Sequence, residues 1–235
     1  MTSADPDTTP RPWRSRFARL HPKLYIGVYG MAGMLATIGL VWLFLAIADE
    51  IPEHGTLARV DVSVARWLEA HGTEWGESVY FWVSYLGGPG RSASIAAAVL
   101  WFAWRRDWRR AIALVLTVAG GELLGNMLKL VFQRGRPETA TEFITDQSWS
   151  YPSAHAMSSL IGYGFIAILL CERLTSPRAR AAVVTAAVLL IGAISFSRLY
   201  LGVHYLSDVV GGWIAGAAWL LICVSGYRMA GRRGG

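Results

Sequence analysis

Three clusters of this chain hold residue types that do chemistry: Lys129–Pro137 (KLVFQRGRP), Pro152–His155 (PSAH) and Ser197–Asp208 (SRLYLGVHYLSD). They supply the cations Lys129, Arg136 and Arg198, the histidines His155 and His204, the carboxylate Asp208 and the hydroxyl of Ser153. A guanidinium presents a planar fork to phosphate oxygens, and a lysine adds a point charge. Two arginines and a lysine neutralise a phosphate and the extra charge of a trigonal-bipyramidal transition state. His204 and Asp208 are four apart and share a face if the segment is helical. A carboxylate on one ring nitrogen fixes the tautomer and leaves the other nitrogen free to attack. His155 is then the acid for the departing alkoxide. Such a set describes phosphoryl transfer. Arg134, beside Arg136, is the candidate for a second phosphate. His21, His54 and His71 have no such company.

The elements that must position these residues are apolar. Hydrophobic residues make up 54% of the 235 and charged residues 16%, against about 25% charged in soluble domains. A spanning helix needs about 20 mostly apolar residues, and the sequence offers six candidates: 24–48, 92–104, 111–132, 154–171, 179–196 and 206–229. The second has an N-terminal extension over 79–86, broken by Gly87-Gly88-Pro89-Gly90. Val60, Val64, Trp67 and Leu68 recur at helical spacing within 58–70, which predicts a short amphipathic helix lying in the outer interface. Its roles are packing on the bundle or shaping lipid entry. The fold class expected is therefore all-α, an integral membrane bundle of six transmembrane helices. One domain covers 24–229, between a disordered cytoplasmic tail at 1–23 and a short one at 230–235.

Charge orients the bundle. Lys and Arg concentrate before the first span (Arg11, Arg14, Arg16, Arg19, Lys23), at Arg105, Arg106, Arg109 and Arg110, at Arg173, Arg178 and Arg180, and at Arg228, Arg232 and Arg233. With six spans all four groups face one side, which is the cytoplasmic side. Residues 49–77 on the other side carry seven acids and two arginines. The net charge of +6 is thus a topology signal, and a nucleic-acid partner is not expected. The apolar run beginning near residue 24 is too long and too late for a cleavable leader. Cys171 and Cys223 lie in apolar segments and form neither a disulfide framework nor a metal cluster. Tryptophans near span ends fit interfacial belts. In this arrangement Lys129, Arg136, Arg198, His155 and His204 all reach the outer face. Glu122 lies inside a span, on the face of Asn126 and Lys129. It needs a partner or a proton, in either a structural or a gating role.

The three clusters resemble the signature of the type 2 phosphatidic acid phosphatase superfamily of membrane lipid phosphatases. Lys129 with Arg136-Pro137 matches its first motif, Pro152-Ser153 with His155 its second, and Ser197-Arg198 with His204 and Asp208 its third. Ala154 stands where the family has Gly, a change that would strain the chain if positive φ were needed there. The resemblance implies a phosphohistidine on His204 oriented by Asp208, with His155 as proton donor. It implies that Lys129, Arg136, Ser153, the Ala154 N–H and Arg198 hold the phosphoryl oxygens, with no metal and no cofactor. The expected substrate is a lipid phosphate or diphosphate (undecaprenyl diphosphate, phosphatidylglycerophosphate or phosphatidic acid) at the outer leaflet of a bacterial cytoplasmic membrane, with both termini cytoplasmic. Arg134 leans the choice toward the polyprenyl diphosphate. A phosphotransferase using the same phosphohistidine and a non-enzymatic lipid or anion transporter are the alternatives. The oligomeric state is left open.

Overall fold

The computed structural model describes residues 22–51, 55–137 and 149–233, and among them every regular element is a helix. The eight helices are α1 (Pro22–Glu50), α2 (Thr56–His71), α3 (Glu74–Tyr85), α4 (Pro89–Trp104), α5 (Trp108–Phe132), α6 (Ala154–Cys171), α7 (Pro177–Tyr200) and α8 (Leu206–Arg233). Most of the expected N-terminal tail lies outside the described residues. The expected C-terminal tail does not begin at 230, because α8 runs on to Arg233.

Local chemistry sets these boundaries. The Thr73 hydroxyl caps α3 by accepting the Gly76 N–H at 3.1 Å. Asp107 caps α5 and Ser176 caps α7, with a proline next at the first helical position of α7. Gln133 ends α5 in the left-handed region, φ 43°, and its N–H bonds to the Lys129 carbonyl at 3.0 Å. The Gly-rich stretch breaks α3 from α4 at residues 86–88.

Among the described residues five helices are long and apolar enough to cross a membrane: α1 over Gly30–Glu50, α5, α6, α7, and α8 over Leu206–Gly231. The second expected span falls short, because the break after Tyr85 leaves α4 only 16 residues, about 24 Å of helix. It runs alongside α6. It starts where Gly88 lies against the ring of His155, in the first turn of α6. It ends where Trp101 and Phe102 lie under the guanidinium of Arg173, just past the end of α6.

Two of the three apolar clusters among the described residues fill the two ends of the bundle. Phe44, Tyr151, Met157, Ile161 and Ile214 join α1, α6 and α8 near the motif residues. Phe102, Leu114, Phe165, Leu169 and Tyr227 join α4, α5, α6 and α8 at the other end. Glycine lets α8 approach closely: a Cβ at Gly212 would lie 2.8 Å from the Ser153 carbonyl oxygen, and one at Gly211 2.5 Å from the Tyr151 ring. Tyr151 stacks on Phe44 at 5.2 Å and meets Phe132 edge-on at 5.3 Å. This fixes the loop before α6.

A charged cluster closes the opposite end. Asp107 pairs with Arg110 and with Arg173 at 2.6 Å, Arg110 reaches Glu172 at 3.3 Å, and the Tyr227 hydroxyl meets Glu172 at 3.1 Å. Asp107→Ala removes a helix cap and two ion pairs at once. It is expected to lower thermal stability in detergent, by about 1–2 kcal/mol from the cap alone. An unchanged melting curve would deny the cluster this structural part.

Glu122 has a partner the sequence does not name. Arg91, in the first turn of α4, donates to it, and the pair bridges α4 and α5. This satisfies the intramembrane acid as an ion pair between helices.

Candidate active site

The third motif straddles a helix end. Ser197 and Arg198 close α7, residues 201–205 turn, and Asp208 lies in the first turn of α8. His204 is therefore in the turn, and not one helical step before Asp208 as the spacing suggests. The pair still meets: His204 Nδ1 lies 3.4 Å from Asp208 Oδ2, with both side chains buried. Such contacts are commonly long before substrate binds and tighten in the reacting complex.

Asp208 Oδ2 also accepts the Tyr205 N–H at 2.8 Å and the Ser150 hydroxyl. Ser150 Oγ lies 3.3 Å from His204 Nδ1 as well. A carboxylate oxygen only accepts, so Nδ1 carries the ring proton and the Nε2 lone pair is free. Burial pushes the His204 imidazole down to about 4; Asp208 opposes that shift, and Arg198 and Arg136 add to it. The ring is therefore neutral and nucleophilic at pH 7. Its folded value lies below the ordinary 6.5, so the unfolded chain binds the proton more readily. Stability is thus lost as pH falls from about 6.5 through about 4. A ¹⁵N NMR titration is expected to place the His204 midpoint near pH 4; a midpoint near 6.5 would show a solvated ring.

The second motif meets this pair from α6. The Ser153 N–H donates to the Asp208 carbonyl at 2.9 Å. Ser153 Oγ is buried without a hydrogen-bond partner among the described residues, as a hydroxyl waiting for a ligand oxygen would be. Ala154 begins α6 with ordinary helical backbone, since positive φ among the described non-glycine residues occurs only at Arg106 and Gln133. Alanine in place of the family's glycine therefore costs no backbone strain. His155 follows, its ring against the Gly87-Gly88 turn.

The first motif comes from α5. Lys129 is buried in the last turn. Arg136 Nη1 donates to the Val203 carbonyl at 2.8 Å, next to His204. Arg198 is buried and donates to Ser84 Oγ at 2.6 Å. The structure thus gathers all three motifs at one end of the bundle.

Arg134 is the correction. The sequence offers it for a second phosphate, but its Nη2 donates to Asp61 at 2.8 Å and its Nη1 to Asp208. Its guanidinium also lies 4.3 Å from the Tyr205 ring centre. Both forks are engaged, and the polyprenyl diphosphate preference loses the residue it leaned on.

Asp61, Ser84, Gly87, Ser150 and Ser207 are the site residues that sequence reasoning misses. Gly87 shows only as a break between helices, and Asp61 leaves a trace by sharing its helix face with Val64 and Leu68 at spacings of three and four. An acid on the packed face of an amphipathic helix calls for a buried partner.

A groove of about 480 Å³ opens beside the pair. Ala48, Ile51, Ala58, Val62, Phe132, Arg134, Arg136, Tyr151 and Tyr205 are among the residues that line it. A second, of about 520 Å³, runs along α1 past Trp42, Leu45 and Ala46, and shares Ala48 and Phe132 with the first. A polar head beside Arg136 and an apolar tail along α1 fit this shape. Among the described residues no cluster of three metal-ligating side chains occurs.

The pattern of the PAP2 superfamily matches residues 110–232, more than half the chain. The chain belongs to the PAP2 superfamily. The resemblance carried by the three motifs is borne out at that level. With its apolar helices it is a membrane PAP2 protein. Phosphatidylglycerophosphatase B of Bacillus subtilis is 32% identical over 128 residues, covering 54% of this chain and 61% of that protein. The undecaprenyl-diphosphatase of Sulfolobus acidocaldarius is 31% identical over 132 residues, covering 54% and 59%. The chain thus spans about 60% of the length of these relatives. The crystal structure of a transmembrane PAP2 type phosphatidylglycerolphosphate phosphatase from Bacillus subtilis superposes with a TM-score of 0.74 at 25% identity, over 80% of this chain and 94% of that one. The PAP2 match begins at Arg110, so α2, α3 and α4, which carry Asp61, Ser84 and the Gly87 turn up to the site, lie outside it.

Proposed function

We propose that this protein is an integral membrane phosphatase that hydrolyses a lipid phosphate or diphosphate through a phosphohistidine on His204. The observation that carries the reading is a buried, neutral His204 held by Asp208 and Ser150, next in the chain to Tyr205, which lines a groove together with Arg136. Anion transport would need the cations but neither histidine nor the Asp208 contact.

In this reading Nε2 attacks phosphorus in line with the lipid oxygen. The P–O bond to the lipid breaks and His155 protonates the leaving oxygen. Water then attacks the phosphoryl-imidazolium and releases phosphate. Lys129, Arg136, Arg198, the Ser153 hydroxyl and the N–H groups opening α6 hold the equatorial oxygens. The helix end adds its partial positive charge. No metal or cofactor takes part.

The bundle crosses the membrane six times, with α3–α4 as the second crossing. This reading is supported by α1 and α5, which both end at the groove with α4 between them in the chain. The cationic connections put both termini in the cytoplasm and the site at the outer leaflet, with α2 in the outer interface. The names of the relatives support phosphatidylglycerophosphate and undecaprenyl diphosphate as substrate candidates, with phosphatidic acid the third.

The test is phosphate release from these three lipids by detergent-purified protein without added metal, with an acid-labile phosphoryl group trapped on the chain by rapid alkaline quench. Turnover with a trapped group that His204→Ala abolishes is the expected result. Turnover that survives His204→Ala would sink the mechanism, and silence on all three lipids the substrate class.

A further inference from the structure

The Asp208 carboxylate has a neighbour that the three motifs do not explain. Asp61, on α2, is 1% exposed. Its Oδ1 accepts the Ser207 N–H at 2.9 Å, and its Oδ2 accepts Arg134 Nη2 at 2.8 Å and the Ser207 hydroxyl. Arg134 in turn donates through Nη1 to Asp208 Oδ1 and to Ser207 Oγ at 2.7 Å. One guanidinium, 12% exposed, thus stands between two buried carboxylates. The charged groups that act most on His204 are Asp208, Arg198 and Arg136, with Arg134 and Asp61 behind Asp208.

We propose that Asp61 is a positioning residue for phosphoryl transfer, acting through Arg134 to keep Asp208 an effective counter-ion for His204. The argument is one of charge. Attack through Nε2, with Nδ1–H retained, turns the imidazole into a phosphoryl-imidazolium, and the ring gains a positive charge. Asp208 is the group in contact with that ring. An Arg134 paired with Asp208 alone would cancel its charge and leave the pair neutral. Because Asp61 shares the guanidinium, the triad carries one net negative charge at the moment the ring becomes positive. In a buried site such a charge acts through a low effective dielectric and weighs more than it would in water. Geometry adds to this. Asp61 and Ser207 fix the fork of Arg134, and the Tyr205 ring covers its face, so Asp208 Oδ1 is anchored while Oδ2 turns to His204. Ala58 and Val62 of the same helix line the groove. The helix that meets the lipid therefore also carries the counter-charge.

The proposal rests on the phosphatase reading, and two measurements keep their failures apart. The first is kcat and KM for lipid phosphate release by the full chain and by Asp61→Asn, Arg134→Met and the double variant. The second is the ¹⁵N titration of His204 in the same four proteins, which needs no turnover. Asp61→Asn keeps the shape and, with its oxygen toward the Ser207 N–H, turns its NH2 group toward Arg134, so it removes both the charge and the acceptor that share that guanidinium. It is expected to lower kcat by about tenfold to a hundredfold, within the coupling range of contacting charges, with KM changed less than about twofold. Arg134→Met leaves two carboxylates facing each other and should be the more damaged variant. Adding Asp61→Asn to it removes the repulsion and should raise kcat again by about tenfold. A residue that merely supported folding would make the double variant worse. The His204 midpoint should fall in Asp61→Asn, rise in Arg134→Met and return toward wild type in the double variant. An active wild type with a full-rate Asp61→Asn, no recovery in the double variant or an unmoved midpoint would overturn the coupling alone. A midpoint that moves as described in a protein that releases no phosphate would overturn the phosphatase reading alone and bear out the charge coupling.

Discussion

Asp208→Asn is expected to cut kcat by about a thousandfold to ten-thousandfold while the protein still folds, the scale seen when a carboxylate that orients a catalytic histidine becomes an amide. The reason lies in what surrounds the carboxylate. Oδ2 faces donors: the Tyr205 N–H, the Ser150 hydroxyl and His204 Nδ1. Oδ1 faces Arg134. A carboxylate accepts from both sides, and an amide cannot. With the amide oxygen kept toward Arg134, its NH2 group faces His204. Nδ1 then becomes an acceptor, the proton moves to Nε2, and the nucleophile has no lone pair. With the amide turned over, NH2 meets the guanidinium of Arg134, which leaves buried donors opposed and lowers stability. Neither orientation gives a nucleophile on an intact site.

The measurement is steady-state phosphate release beside a melting curve, with ¹⁵N shifts to report the His204 tautomer. Turnover within tenfold of wild type would mean that Asp208 does not set the tautomer. The orienting role would then pass to Ser150, whose Oγ lies 3.3 Å from Nδ1.

How much of this was legible in the sequence depends on how far apart the partners lie along the chain. The motif residues carry their own spacing, and the helices that deliver them begin and end at apolar periodicity, caps and prolines. Expected and found extents therefore agree closely for α5, α6 and α7. Arg134 fails for the opposite reason. An arginine two residues from Arg136 reads as a phosphate ligand unless a carboxylate 73 residues earlier is known to hold it. Asp61 meets Ser207 across 146 residues, and Ser84 meets Arg198 across 114; the helix face of Asp61 hints at a buried partner without naming it, and Ser84 has no local pattern at all. The same holds for α4. Its Gly-Gly break is plain in the sequence, but its alignment with α6, which decides whether 16 residues make a crossing, is a tertiary fact. His204 lies between the two cases. Its spacing to Asp208 correctly brings the pair together, although a turn and not a helix does so.

Gly87→Ala carries the second large effect, and it acts on the other histidine. The break between α3 and α4 reads as punctuation in the sequence, yet it is wedged between α6 and α7. A Cβ on Gly87 would lie 2.7 Å from Cδ2 of His155 and 2.5 Å from Cγ2 of Ile194. Real Cβ atoms do not sit so close, and the turn has little room to retreat. Its N–H bonds to the Ser84 carbonyl at 2.8 Å, and the Leu86 carbonyl accepts the Tyr163 hydroxyl at 2.7 Å. Ile194 is fully buried. The imidazole is therefore the part that moves, and a displacement of about 1 Å in a reacting group costs on the order of a hundredfold in rate. With His155 as the acid that protonates the leaving alkoxide, the loss depends on the leaving group. An alkyl phosphate needs the proton and should lose the full factor. An aryl phosphate with a stable phenolate needs it far less and should lose about tenfold or less. The comparison is kcat for Gly87→Ala on a lipid phosphate and on p-nitrophenyl phosphate, beside His155→Ala on both. Equal losses on the two substrates would place the damage in binding or folding. A loss confined to the alkyl ester, and matched by His155→Ala, would tie the turn to the proton that the departing lipid takes.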